Sequence, residues 1–172
     1  LSHGPQAASS EAREETVDMA LRLRPRIDGK AAAIAGLAAG ATYVATMEID
    51  NRLAGINEDD LKLLGRPIAA DPAMAKIAGI PVHFGNSVAL ALLYAAVAHD
   101  RLPGPPWLRG ALFATIEDTV LYPLAMLEQF HPGVRDGQVD RYWTLPAYLL
   151  SIPRHVTYGA VLGSLYERLR SS

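Results

Sequence analysis

The chain has 172 residues, half of them hydrophobic, with 16 Lys and Arg against 18 Asp and Glu and a formal net charge of −2. That balance supplies no basic face for nucleic acid, and the absence of cysteine excludes disulfide frameworks, thiolate metal sites and cysteine nucleophiles. The length suits one compact unit or a small bundle.

Residues 1–8 are small and polar and are broken by Gly4 and Pro5, which predicts no regular structure. The start lacks the basic-then-apolar layout of a signal peptide, so internal segments are expected to carry the chain into a membrane. From Ser10 to Arg24 the pattern predicts an amphipathic helix. Ser10 stands at the N-cap, Glu11, Glu14 and Glu15 fall in the first turns and Arg22 and Arg24 at the end, an order that suits the helix dipole. Val17, Ala20 and Leu21 form a thin apolar stripe, enough for a helix lying on a surface, and Pro25 ends it. Residues 1–30 are therefore read as a cytoplasmic segment preceding a membrane domain at 31–172.

The run Ala31 to Met47 is uncharged over seventeen residues and shows no polar face, unlike a soluble amphipathic helix. About twenty such residues cross the hydrocarbon core, and the segment is expected to continue through Glu48 towards Ala54. Gly36 and Gly40 form a GxxxG pair that lets another helix approach closely. Residues 55–76 read as a polar connection in which Asn57 caps a short helix ending before Gly65 and Pro67. Its acidic run Glu58, Asp59, Asp60 lacks the alternating spacing and the glycine of a calcium loop.

A second span covers Gly79 to Ala98 and holds Pro81, His83, Asn86 and Ser87 without a formal charge. After a Pro/Gly turn at 99–106, a third span is expected from about Trp107 to Leu127. It carries Glu117 and Asp118 near its middle, and Pro123 should kink it. A fourth is expected from Trp143 to about Leu165, with Arg154 and His155 inside and Gly159 and Gly163 as a second GxxxG. Trp107 and Trp143 fall at span starts, where interfacial aromatics belong, and Tyr94 and Tyr166 read as anchors at the cytoplasmic interface.

The halves repeat. Ile80, Pro81, His83, Leu93 and Tyr94 are matched by Ile152, Pro153, His155, Leu165 and Tyr166, all 72 residues on. YVATMEID around Glu48 is matched by LFATIEDT around Glu117, 69 residues on. The fold class expected is all-α: a four-transmembrane-helix bundle of two tandem hairpins (about 31–98 and 105–169) plus the N-terminal surface helix. A soluble helical bundle is the alternative that the uncharged runs disfavour. Nine basic residues lie on the side of the N-terminal segment, the 99–106 turn and the chain end, against six on the other, which orients both termini to the cytoplasm.

Sites in repeat-built membrane proteins form at the repeat interface. The repeat places Glu48 at the depth of Glu117 and His83 at that of His155. With Asn86, Asp118 and Arg154 these make an intramembrane polar cluster, and such groups face the bundle interior or water. Arg154 needs an anionic partner, for which Glu117 or Asp118 is the natural expectation. The bland reading is a satisfied network that fixes helix register. A proton or ion pathway is the second. A haem or divalent metal held by His83 and His155, with Glu48 and Glu117 as further ligands, is the third, although no Glu-x-x-His pair is present. Ser87, one turn from His83, lacks elbow glycines, and a serine in a membrane helix bonds backbone. Phosphate-cradling loops are absent.

From Gly79 to Leu169 the chain resembles the YagU-like small bacterial inner-membrane proteins. The resemblance is carried by His83, Ser87 and Tyr94 in one helix, Pro103 and Gly110 at the next turn and helix start, Pro123, and His155 with Glu167. Where that family leads one to expect a histidine five residues before the proline of the third helix, this chain has Asp118. The resemblance implies a polytopic protein of the bacterial inner membrane and no defined activity. The primary functional expectation is a non-catalytic accessory subunit of a larger membrane complex. Its partners would be the lipid bilayer and other subunits or a second copy, and no enzyme activity or cofactor is indicated by motif. A small transporter or proton-conducting protein using the Glu/His cluster is the alternative, and the haem or metal protein the next.

Overall fold

The computed structural model describes residues 27–170. Six α-helices make up the described chain: α1 (Gly29–Ala54), α2 (Asp60–Gly65), α3 (Pro72–Leu93), α4 (Pro106–Leu121), α5 (Pro132–Arg135) and α6 (Leu145–Arg170). Local chemistry sets their ends. Asp28 accepts from the Ala31 amide to start α1, and Gly55, with φ of 67°, closes it in the left-handed conformation that glycine tolerates. Asp71 accepts from the Ala73 and Met74 amides, and Pro72 takes the first helical position of α3, where no amide partner is needed. The short α2 is capped by Asp59, not by Asn57 as the sequence suggests.

Both long central helices change winding at their ends. α3 loosens into a π-helical turn over Tyr94–Ala98. α4 tightens into a 3₁₀ stretch over Tyr122–Phe130, beginning beside Pro123, whose ring removes one helical donor. The expected kink is thus a change of helix type.

Small residues bring the helices together. An added Cβ at Gly36 would stand 2.7 Å from the Ser87 carbonyl oxygen, and one at Gly40 would stand 2.6 Å from the Ser87 hydroxyl. In the second half Gly110 meets the backbone of Gly159, and Gly163 meets Pro106, so closely that no side chain fits at any of the three glycines. Gly36 and Gly40 thus stand against α3 much as Pro106 and Gly110 stand against α6, with Ser87 and Ala91 in the places of Gly159 and Gly163, 72 residues on. The repeat is a structural one at the α1–α3 and α4–α6 contacts. The core between them is alanine-rich, with Tyr94, Phe113, Tyr158, Leu162 and Tyr166 filling the larger spaces.

The symmetry stops there. α6 packs along both α4 and α1, α1 in turn along α3, while α3 meets α4 mainly through the Tyr94–Ala98 turn. A gap remains between the middles of α3 and α4. α2 lies on the start of α3, with Gly65 against Ala75 and Gly79 against Leu61.

Three helical stretches, Gly29–Ala54, Pro72–Ala98 and Pro106–Phe130, are long and apolar enough to cross a membrane. Their outward side chains agree: Leu53, Val120 and Phe130 are exposed by 84%, 68% and 71%. The expectation of four spans plus a separate N-terminal surface helix is therefore corrected. α6 has the length but not the apolarity, because Ser151, Arg154, His155, Thr157, Glu167, Arg168 and Arg170 dilute it. The helix expected over Ser10–Arg24 lies outside the described residues.

Candidate functional site

The gap between α3 and α4 is the mouth of a cavity of ≈ 170 Å³, floored by α2 and backed by α1 and α6. Tyr43 stands at its centre. Its hydroxyl donates to Asp60 at 2.5 Å, and its ring touches the imidazoles of His83 and His155, with centroids 5.5 and 5.1 Å away.

Most donors around the cavity are used up inside the chain. A carbonyl oxygen only accepts, so each imidazole nitrogen facing one must carry its proton. His83 Nε2 lies 3.1 Å from the Gly40 carbonyl and His155 Nδ1 2.9 Å from that of Ser151. The Ser87 hydroxyl donates to the His83 carbonyl, as expected of a serine in such a helix, and Tyr158 donates to the Ser87 carbonyl. Acceptors remain. His155 turns Nε2 towards Glu117, 3.9 Å away. Among the described residues Glu117 receives no hydrogen bond, and neither does the amide of Asn86, which is exposed at the cavity mouth.

A second cavity of ≈ 140 Å³ shares Tyr43, Asp60, Leu63 and His155 with the first and reaches Asp118, Tyr142 and Arg154. Asp118 shares the single Ser151 hydroxyl proton with the Tyr148 carbonyl and lies 3.6 Å from His155 Nδ1. Arg154 is fully buried, but it is not paired with Glu117 or Asp118, the partners that the sequence suggested. Its Nε and Nη2 each donate to Asp50 at 2.7 Å, Nη2 also to Asn51 at 3.1 Å, and Glu58 lies 3.4 Å away. Arg154 is thereby satisfied by α1 and the following loop. Burial pushes the Glu58 carboxyl above its ordinary range, against the opposing pull of Arg154.

The structure thus gathers His83, Asn86, Glu117 and His155 on one cavity, with Asp118 on the adjoining one, and sends Glu48 elsewhere. Glu48 is held by Lys76 at 2.5 Å and faces Arg52 at 3.8 Å. The four candidate metal ligands therefore do not converge, and among the described residues no three His, Asp or Glu side chains are grouped to hold a metal ion. The first cavity, ≈ 170 Å³, is smaller than the roughly 300–1,000 Å³ of pockets that take drug-sized ligands. All four GxxxG glycines, Gly36, Gly40, Gly159 and Gly163, are spent on contacts within the chain.

Sequence reasoning missed two groups. The acidic run in the first connection turns inward: Asp60 to Tyr43, Glu58 to Arg154 and Asp59 to Lys76 at 3.0 Å. The available signal was Leu61 and Leu64 beside the acids, a pattern for a helix with one buried face. The second group surrounds His99, which is fully buried. His99 Nδ1 lies 3.0 Å from the Tyr94 hydroxyl and Nε2 2.7 Å from Glu167, with the Tyr166 ring stacked edge-on at 4.8 Å. Tyr94 and Tyr166 are core residues around this imidazole, not interfacial anchors.

No curated protein and no solved structure matches the chain. The matching family establishes no specific tie to YagU-like proteins. It bears out the coarser expectation of a small helical family of unsettled role. A helical chain with three stretches fit to cross a bilayer and an acid-lined cavity among them, it belongs, over residues 27–172, to DUF6789, a family of unknown function.

Proposed function

We propose that the protein is a small proton- or cation-translocating membrane protein whose intramembrane cavity is its binding site. The observation that carries this reading is the state of Glu117. An ionisable side chain in the middle of an apolar helix is costly and is kept where it faces water or a ligand. Glu117 lines the cavity with no hydrogen bond from the described chain, opposite His155 Nε2. Asp60 and Asp118 add two further carboxylates, while the hydrogen bonds of Arg154 go to Asp50 and Asn51.

The accessory-subunit reading drew its motive from two GxxxG faces, small helices and the lack of a catalytic motif; of these, the GxxxG faces are occupied within the chain. The basic-residue excess supports placing the 99–106 turn on the cytoplasmic side of a bacterial inner membrane. The deciding experiment reconstitutes the full chain in liposomes and follows decay of an imposed pH gradient. The wild type should dissipate the gradient at least tenfold faster than Glu117→Gln. Equal decay in the two sinks the reading.

A further inference from the structure

Five donors bordering the cavity (the hydroxyls of Tyr43, Ser87 and Tyr158, and one N–H from each of His83 and His155) all point at acceptors of the chain itself. What is left lining the space is the Glu117 carboxylate, the Asp60 carboxylate that already accepts from Tyr43, the bare Nε2 of His155 and the amide of Asn86. Such a site suits a guest that brings several donors of its own. A proton brings one bond, and a bare metal ion wants a tighter ligand set than the described residues supply. The rings of Tyr43 and Tyr158 among the lining residues suit a cation, which can lie against an aromatic ring.

We propose that the occupant is a small organic cation carrying several N–H donors, a guanidinium or a primary ammonium, held by Glu117, His155 Nε2 and Asn86. This rests on the reading of the cavity as the binding site of a translocating protein and names the substrate class of that same site. The room available, ≈ 170 Å³, limits the guest to a handful of heavy atoms. The guest enters by the gap between α3 and α4, where Asn86 is exposed, with α2 closing one end of the space. The opposite end is filled by the core of Tyr94, Phe113, Leu162 and Tyr166.

The test titrates the full chain, purified in a non-ionic detergent at pH 7.5, with four chloride salts at low millimolar concentration. They are guanidinium, methylammonium, tetramethylammonium and sodium. Calorimetry and the thermal midpoint from Trp107 and Trp143 fluorescence are the readouts. Guanidinium or methylammonium should bind saturably, one per chain, and raise the midpoint, while tetramethylammonium, which has no N–H, and sodium do neither. Glu117→Gln should weaken binding at least tenfold. Asn86→Ala, at an exposed position where folding is not at stake, should weaken it severalfold. Guanidinium showing binding while methylammonium does not, or the reverse, supports the proposal and selects the head group. Equal binding of tetramethylammonium, or insensitivity to both substitutions, overturns it. Absence of any cation binding alongside Glu117-dependent proton flux overturns it too, and leaves the broader reading standing. Loss of both binding and flux removes the two together.

Discussion

Arg154 and Asp50, 104 residues apart, share a two-pronged ion pair in which Nε and Nη2 each lie 2.7 Å from a carboxylate oxygen. It is the polar lock between α6 and α1, supported by Asn51 and Glu58. Removing one member of a buried pair strands the other charge, which typically costs about 3–5 kcal/mol. Arg154→Ala should lose that much unfolding free energy in a denaturant titration in detergent. Arg154→Lys should lose less, because the charge stays while the fork geometry goes. The double variant Arg154→Met, Asp50→Asn should recover part of the loss. A drop below about 1 kcal/mol for Arg154→Ala would show that the pair is exposed to water in solution.

The glycines separate close packing from empty space. At Gly110 a Cβ would run into the Gly159 carbonyl, and neither backbone can retreat without parting α4 from α6. Gly110→Ala should therefore destabilise by about 1–3 kcal/mol, the usual range for overpacking. At Gly85 nothing lies within 4 Å of the added carbon. Gly85→Ala should stabilise by about 0.5–1 kcal/mol through helix propensity. Opposite signs for two chemically identical changes, read from thermal midpoints in one detergent, are the expected outcome.

His99 makes folding sensitive to pH at the end of the bundle distant from the cavity floor. Burial is the main cause that pulls its pKa below the ordinary 6.5, and the Glu167 carboxylate opposes that pull. The folded state therefore holds the neutral imidazole, and the unfolded chain takes up a proton first as pH falls. The contribution of His99 is complete above about pH 6.5 and is lost as pH falls through the lower folded value. Wild-type stability should decline from pH 7 to 5, and His99→Gln, measured over the same range, should decline less. Parallel curves would show that His99 does not titrate differently on folding.

The sequence made the repeated close contacts legible because small residues, Pro and His recur in register, and register survives folding. It also set His83 and His155 at one depth, and both line the cavity; Glu117 and Asn86, which line it too, entered only as members of a polar cluster. It misplaced Glu48 and Arg154 for a related reason. Pseudo-symmetry predicts that both halves close in the same way, yet α1 packs against α6 while the middles of α3 and α4 stay apart. Glu48 therefore answers to Lys76, and Arg154 to Asp50, partners lying outside the repeated pattern. Asp60 was invisible for another reason. Composition marks its segment as a polar connection, and only the Gly65 and Gly79 contacts, which draw α2 down onto α3, carry its carboxylate inward.

The connections predict which parts of the chain share a side of the membrane. The Asn57 backbone N–H donates to the Asp140 carboxylate at 2.7 Å, and Arg66 pairs with Asp136 at 2.6 Å. The loops around residues 55–71 and 131–144 therefore meet at one end of the bundle. Asp100 pairs with Arg170 at the other, at 3.1 Å. With no native cysteine in the sequence, single cysteines report position without background. Ile68→Cys and Arg135→Cys, both at exposed sites, should react with an impermeant maleimide from the same face of sealed vesicles. Arg101→Cys should react only from the opposite face. Labelling of Arg101→Cys and Arg135→Cys from one face would mean that Pro106–Phe130 does not cross the bilayer, and the cavity beside Glu117 would then open to water, not lie within the membrane.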